Sequence, residues 1–185
     1  MPQNFNELID YAKAFSGLTP ELELCLKDIG PEITPHLKAV TDSFYDQLAA
    51  IPATAKYLEG RLETLKIAHL RWMTGLFAAN VDAEFAQHMF QVGDIHVKVN
   101  LPVEFMAGAM TLINNELIRI IVEIFGHDPE KCSKALQAIS SVTGLTLMIM
   151  QQSYQESTIA DELEKFLCIS GMSRTLFANL AKAYK

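Results

Sequence analysis

Helix punctuation is the feature that most constrains this chain. Proline and small polar residues recur at about one helix length, and the apolar residues between them are spaced three and four apart. No long apolar–polar alternation occurs, and no Asn-Gly or Asp-Gly pair offers a hairpin turn. Thr19-Pro20-Glu21 reads as an N-cap followed by proline at the first helical position. A helix is expected from there to about Asp28, with Gly30-Pro31 breaking it. The next covers Pro35 to Ala50, with Leu37, Val40, Phe44 and Leu48 on one side and Tyr45 beside them. Ile51-Pro52 ends it, because a residue before proline disfavours helical backbone, and a short segment Thr54–Leu58 leads to Gly60.

A long helix from Arg61 to Ala79 carries Leu62, Leu65, His69, Trp72, Met73 and Leu76 on one side. Asn80-Val81-Asp82 is a turn with Asp82 as N-cap, and the next helix runs to Val99 with Phe85, Met89, Val92, His96 and Val99 inward. Asn100-Leu101-Pro102 stops it. Two helices follow, Pro102–Phe125 and Pro129–Thr158, separated by Gly126-His127. Both are apolar on more than one side and need neighbours on several sides, which suggests a bundle between subunits. The amphipathic tail Ile159–Lys185 is expected to continue the last helix or begin a connector, giving segments 1–158 and 159–185.

Of the 185 residues, 50% are hydrophobic and 20% charged, enough for one domain with a substantial core. The formal net charge is −7 with no Lys/Arg run, which argues against nucleic acid or an anionic membrane as partner. Cys25, Cys132 and Cys168 are odd in number and form no C-x-x-C pair. This disfavours disulfides and zinc and fits a reducing, cytoplasmic compartment. The start MPQNFNELID lacks a charged segment followed by an apolar one, so no signal peptide is expected. Leu117–Phe125 is interrupted by Arg119 and Glu123, and Val142–Met150 is too short to span a bilayer.

The chemistry concentrates around the Asn80-Val81 turn. His69 lies 11 residues before Asn80 and His96 lies 15 after Val81, each on an apolar stripe. If the helices return antiparallel, the imidazoles face one hydrophobic crevice at similar heights, roughly 17 and 23 Å from the turn. Such a crevice suits a flat, apolar iron macrocycle, which needs a neutral imidazole on one face and control of access on the other. Val92 and Met89 line the helix one and two turns before His96, and Gly93 removes bulk beside it. A histidine on an apolar face is more often a hydrogen-bonded core residue, so both readings stay open at this point. A di-iron bundle would need repeated Glu-x-x-His; Glu84 and His88 are four apart and have no second copy. His36 and His127 fall near helix ends and are expected to be solvated. No nucleotide-binding or nucleophile-elbow motif appears.

Val92-Gly93-Asp94-Ile95-His96-Val97-Lys98-Val99-Asn100-Leu101-Pro102, continuing to Phe105 and Gly108-Ala109-Met110, resembles the proximal signature of globin-coupled sensors. Ser43-Phe44-Tyr45 resembles that family's distal tyrosine segment, and Leu65 to Trp72 its distal helix. The resemblance covers roughly Leu24 to Ser157. It implies an all-α, globin-like fold with an extra N-terminal helix and a C-terminal helical extension. It implies haem b, with His96 as proximal iron ligand and Tyr45 as the hydroxyl near a bound gas. Phe44, Tyr45, Leu65, His69, Trp72, Met73, Met89, Val92, His96, Val99, Phe105 and Met110 are the expected haem-contacting set. His69 is a candidate sixth ligand or merely a pocket wall. Lys66, Lys98 and Arg71 are candidates for the propionates or simply solvated.

Three positions depart from the family pattern. Asn100 replaces a usual glycine, Phe105-Met106 stands where Trp-Tyr is common, and Ala68 lacks a hydroxyl that some members use. The implied function is a haem-based sensor of O2, CO or NO, homodimeric through Pro102–Phe125 and Pro129–Thr158. Any enzymatic output would lie in a module this sequence does not contain. Two alternatives stand beside it: an enzyme-like globin with nitric oxide dioxygenase or peroxidase chemistry, and a cofactor-free helical interaction domain.

Overall fold

The computed structural model describes residues 4–183. Met1–Gln3 and Tyr184–Lys185, the outer ends of the two expected segments, lie outside the described residues. All regular structure among the described residues is helical. α1 (Phe5–Ser16) starts at Asn4, whose side chain accepts from the backbone N–H groups of Asn6 and Glu7. α2 (Pro20–Ile33) is capped by Thr19 and has proline at its first position, as expected. Then come α3 (Leu37–Ala50), the single turn α4 (Pro52–Ala55), α5 (Leu62–Ala78) and α6 (Ala83–Lys98). The Asp82 carboxylate accepts from the N–H groups of Glu84 and Phe85 and so opens α6. α7 (Val103–Phe125), α8 (Pro129–Ser170) and α9 (Arg174–Ala183) complete the chain.

Gly30-Pro31 does not break α2. The helix runs through Pro31 to Ile33 and passes by a 3-10 turn, Thr34–His36, into α3. Ile29, Ile33 and Leu37 are almost wholly buried in the core, and burying each such side chain stabilises by about 1.5–3 kcal/mol. That offsets the hydrogen bond a proline removes. At the end of α2 the Thr34 hydroxyl and backbone N–H both donate to the Gly30 carbonyl, the hydroxyl at 2.7 Å. Gly30 itself lies where a Cβ would come within 3.1 Å of Phe77, so α2 and α5 meet closely there.

α8 is the organising helix. It packs against α6, α7, α1 and α2, while α3 packs on α5 and α7. Its residues Ile139, Val142, Leu145 and Ile149 are fully buried and meet Leu117 and Ile121 of α7 in one core. By length and composition α7 could cross a membrane. Here Met106, Met110, Ile113, Leu117, Ile120, Ile121 and Phe125 are buried in the fold, and Arg119 pairs with Glu116 and Glu123 on the outside. α8 continues without interruption past Thr158 until Gly171, whose φ of 68° ends it. α9 then turns back, with Phe177 edge-on to Phe166 at 6.3 Å and Arg174 paired with Glu164.

Candidate functional site

α5 and α6 are consecutive, yet their backbones hardly approach each other. They are joined by Trp72, whose indole Nε1 donates to the Met89 sulfur at 3.2 Å. Trp72 lies eight residues before Asn80 and Met89 eight after Val81, so the pair folds back with equal arms. Counted from that contact, the α5 residue level with His96 is Leu65. His69 lies four residues nearer the turn, about 6 Å along the axis, level with Val92. Counted this way, the two imidazoles sit on neighbouring helices four residues out of step.

His96 occupies the last turn of α6 and is half-buried. Its Nδ1 lies 2.8 Å from the Val92 carbonyl. A carbonyl only accepts, so Nδ1 carries the proton and Nε2 presents a free lone pair. Burial lowers the imidazole pKa against the opposing pull of the Val92 bond, favouring the neutral, ligating form. After His96 the chain turns at Asn100, whose φ is 52°. Glycine, or failing that asparagine, suits this left-handed position, which accounts for an asparagine at residue 100. The Leu101 N–H donates to the His96 carbonyl at 3.0 Å, and the Tyr57 hydroxyl donates to the Asn100 carbonyl at 3.0 Å.

The α5 wall is aromatic. His69 is stacked between Phe44, at 4.6 Å and 19°, and Trp72, at 5.5 Å and 22°. Tyr45 meets it edge-on at 5.6 Å. Both ring nitrogens of His69 are buried without a hydrogen-bond partner. Burial alone drives its pKa down to about 4, and burial alone pushes the Tyr45 phenol up to about 12. Of the expected set, Phe44, Tyr45, Met73, Met89 and Met110 are buried. Leu65, His69, Trp72, Val92, His96, Val99 and Phe105 are half-buried. The structure brings Phe44, Tyr45, His69, Trp72 and Met89 into one contact chain. Met73 belongs to the packed core. Lys66 pairs with Asp42 at 2.9 Å, while Arg71 and Lys98 are exposed.

These residues fit an iron porphyrin. A buried imidazole with two unpartnered nitrogens is costly, about 1–3 kcal/mol for an unsatisfied buried polar group, and a ligand removes that cost. His96 offers a second nitrogen donor on the neighbouring helix α6, whose backbone stands apart from that of α5. Among the described residues no cluster of three or more His, Cys, Asp or Glu could hold a bare metal ion.

The sequence reading missed the polar contacts behind α6. The Asp94 carboxylate accepts from Ser153 and Ser157 of α8, and the Tyr154 hydroxyl donates to the Leu101 carbonyl. An acidic residue beside Gly93, with serines one turn apart on α8, was the available signal.

The Protoglobin family model matches residues 5–159. The globin domain of the Geobacter sulfurreducens globin-coupled sensor is 30% identical, with a TM-score of 0.74. The match covers 78% of this chain and 96% of that one. The globin domain of E. coli DosC, in ferric and ferrous forms, is 19% and 18% identical, each with a TM-score of 0.65. Each match covers 79% of this chain and 99% of the other and bears on the fold alone. No curated protein sequence matches. A family match across most of the chain and a sensor globin that superposes on it agree with the all-helical fold: the chain belongs to the protoglobin family, as a globin domain of the globin-coupled sensor kind.

Proposed function

We propose that this chain is a haem-based sensor domain that responds to a diatomic gas, O2, CO or NO, with His96 as the proximal iron ligand. The observation that carries the reading is the Nδ1 contact of His96 with the Val92 carbonyl, which fixes the tautomer and frees Nε2 in an apolar slot. When bound, haem b supplies an iron that accepts a gas as an axial ligand. His96 holds it from α6. Tyr45, a buried tyrosine that meets His69 edge-on, brings a phenol hydroxyl to the opposite wall, where it can donate a hydrogen bond to the gas. Phe44, Leu65, Trp72, Met89, Val92, Val99, Phe105 and Met110 keep water out, with Met73 packing behind them.

His69 is proposed as a sixth ligand in the resting state, because its unpartnered nitrogens favour coordination. Ligation by both would tie α5 to α6 through the iron. Gas arrival would then release α5. Dimerisation is proposed through α7 and α8, which leave Val122 exposed and Leu112, Leu136, Leu147 and Met148 half-buried. The reading gives the chain a sensory role in the cytoplasm and leaves catalysis to a separate output module. Optical spectra of the haem-reconstituted protein test it. A Soret band is expected, with a low-spin ferric spectrum that turns high-spin in His69→Ala. No Soret band on reconstitution overturns the reading, and a low-spin spectrum untouched by His69→Ala overturns the sixth ligand.

A further inference from the structure

Residues two apart on a helix point to nearly opposite sides, so Asp94 faces away from the slot that His96 faces. It faces α8. Asp94 Oδ1 accepts from the Ser153 hydroxyl at 2.7 Å and the Ser157 hydroxyl at 2.6 Å. These distances are those of charge-assisted bonds. Ser153 is fully buried. Next to Asp94, a Cβ on Gly93 would lie 2.6 Å from the Met150 carbonyl oxygen and 2.8 Å from Ser153 Cβ, so the two backbones touch. On the other side of His96, Tyr154 holds the Leu101 carbonyl, and the Leu101 N–H holds the carbonyl of His96 itself. One stretch of α8 therefore grips α6 both before and after the histidine.

We propose that Asp94 is a positioning residue that clamps the helix bearing His96 to α8, so that the two helices move as one body when the ligand state of the iron changes. The proposal rests on the haem reading of His96. Packing alone does not require it, since well-packed apolar residues hold two helices at least as well as a buried polar cluster. What the cluster adds is register. Sliding α6 along α8 by a turn would strand the carboxylate and both hydroxyls, a penalty that apolar packing does not impose.

Hydrogen–deuterium exchange of the full chain, haem-reconstituted and reduced, tests the clamp with and without carbon monoxide. In the parent chain, carbon monoxide is expected to change exchange in residues 91–101 and 150–158 together. Asp94→Ala is expected to abolish the change in 150–158 and to speed basal exchange in both segments by about tenfold or more, the scale for losing hydrogen bonds to a charged group. The Ser153→Ala/Ser157→Ala pair should behave the same way. Asp94→Asn keeps an oxygen for both hydroxyls and should restore the coupling. The clamp is overturned if 150–158 never responds in the parent chain, or still responds in Asp94→Ala. The haem reading fails separately, by the lack of a Soret band. In that event basal exchange, which needs no haem, decides the clamp: joint acceleration in Asp94→Ala supports it, and unchanged rates overturn it.

Discussion

The two walls of the slot are built differently. On the α5 side, Phe44, His69 and Trp72 form a stack with no hydrogen bonds between its rings; Trp72 reaches α6 only through the Met89 sulfur, a weak acceptor, and the tie from Lys66 to Asp42 is part-exposed. On the α6 side, the helix is pinned to α8 by Asp94 and its two serines, by the contact at Gly93 and by Tyr154. Stacked rings slide at little cost, whereas hydrogen bonds to a carboxylate break at a cost. The contrast predicts a compliant distal wall and a stiff proximal one.

The largest expected effect is at His96. His96→Ala should weaken haem affinity by more than about a hundredfold, beyond what loss of a supporting contact to a ligand causes. Haem titration of the purified protein measures this, and an unchanged affinity would move the ligand elsewhere. A pair of glycines comes next. Gly93→Ala forces a methyl group into the α8 backbone and should cost about 1–3 kcal/mol. That corresponds to a fall of roughly 2–4 °C in Tm per kcal/mol for a chain of this size. Gly75→Ala on α5 meets nothing within 4 Å and should instead raise stability by about 0.5–1 kcal/mol. Equal shifts in the two variants would erase the difference between the walls. A gain of similar size to that at Gly75 is expected at His69. His69→Leu removes two orphaned nitrogens from an apolar stack and should stabilise the haem-free chain by about 1 kcal/mol in urea unfolding. A loss of stability would show that the imidazole has a partner there.

Much of this was legible in the sequence because it depends on local chemistry. The caps at Thr19, Asp82 and Asp128, and the apolar stripes through His69 and His96, specify helices and their inner faces within a few turns. The break expected at Gly30-Pro31 did not occur, because the burial of Ile29, Ile33 and Leu37 is a tertiary effect that local rules do not contain. The offset of the histidines was legible as well: counts of 11 and 15 residues from the turn differ by four, and the Trp72–Met89 contact, eight residues from the turn on each side, agrees with that count. Asp94 was invisible as a contact because its partners lie 59 and 63 residues away.

The unbroken length of α8 has a mechanical consequence. From Ser153 to Ser170 it is an unbroken helical arm of about 26 Å at ~1.5 Å per residue. A tilt of about 5° at its fulcrum beside Asp94 would swing the far end by about 2 Å, roughly half the rise of an α-helical turn. A displacement too small to disturb the core is thereby amplified at Gly171, where the arm ends and the chain turns back.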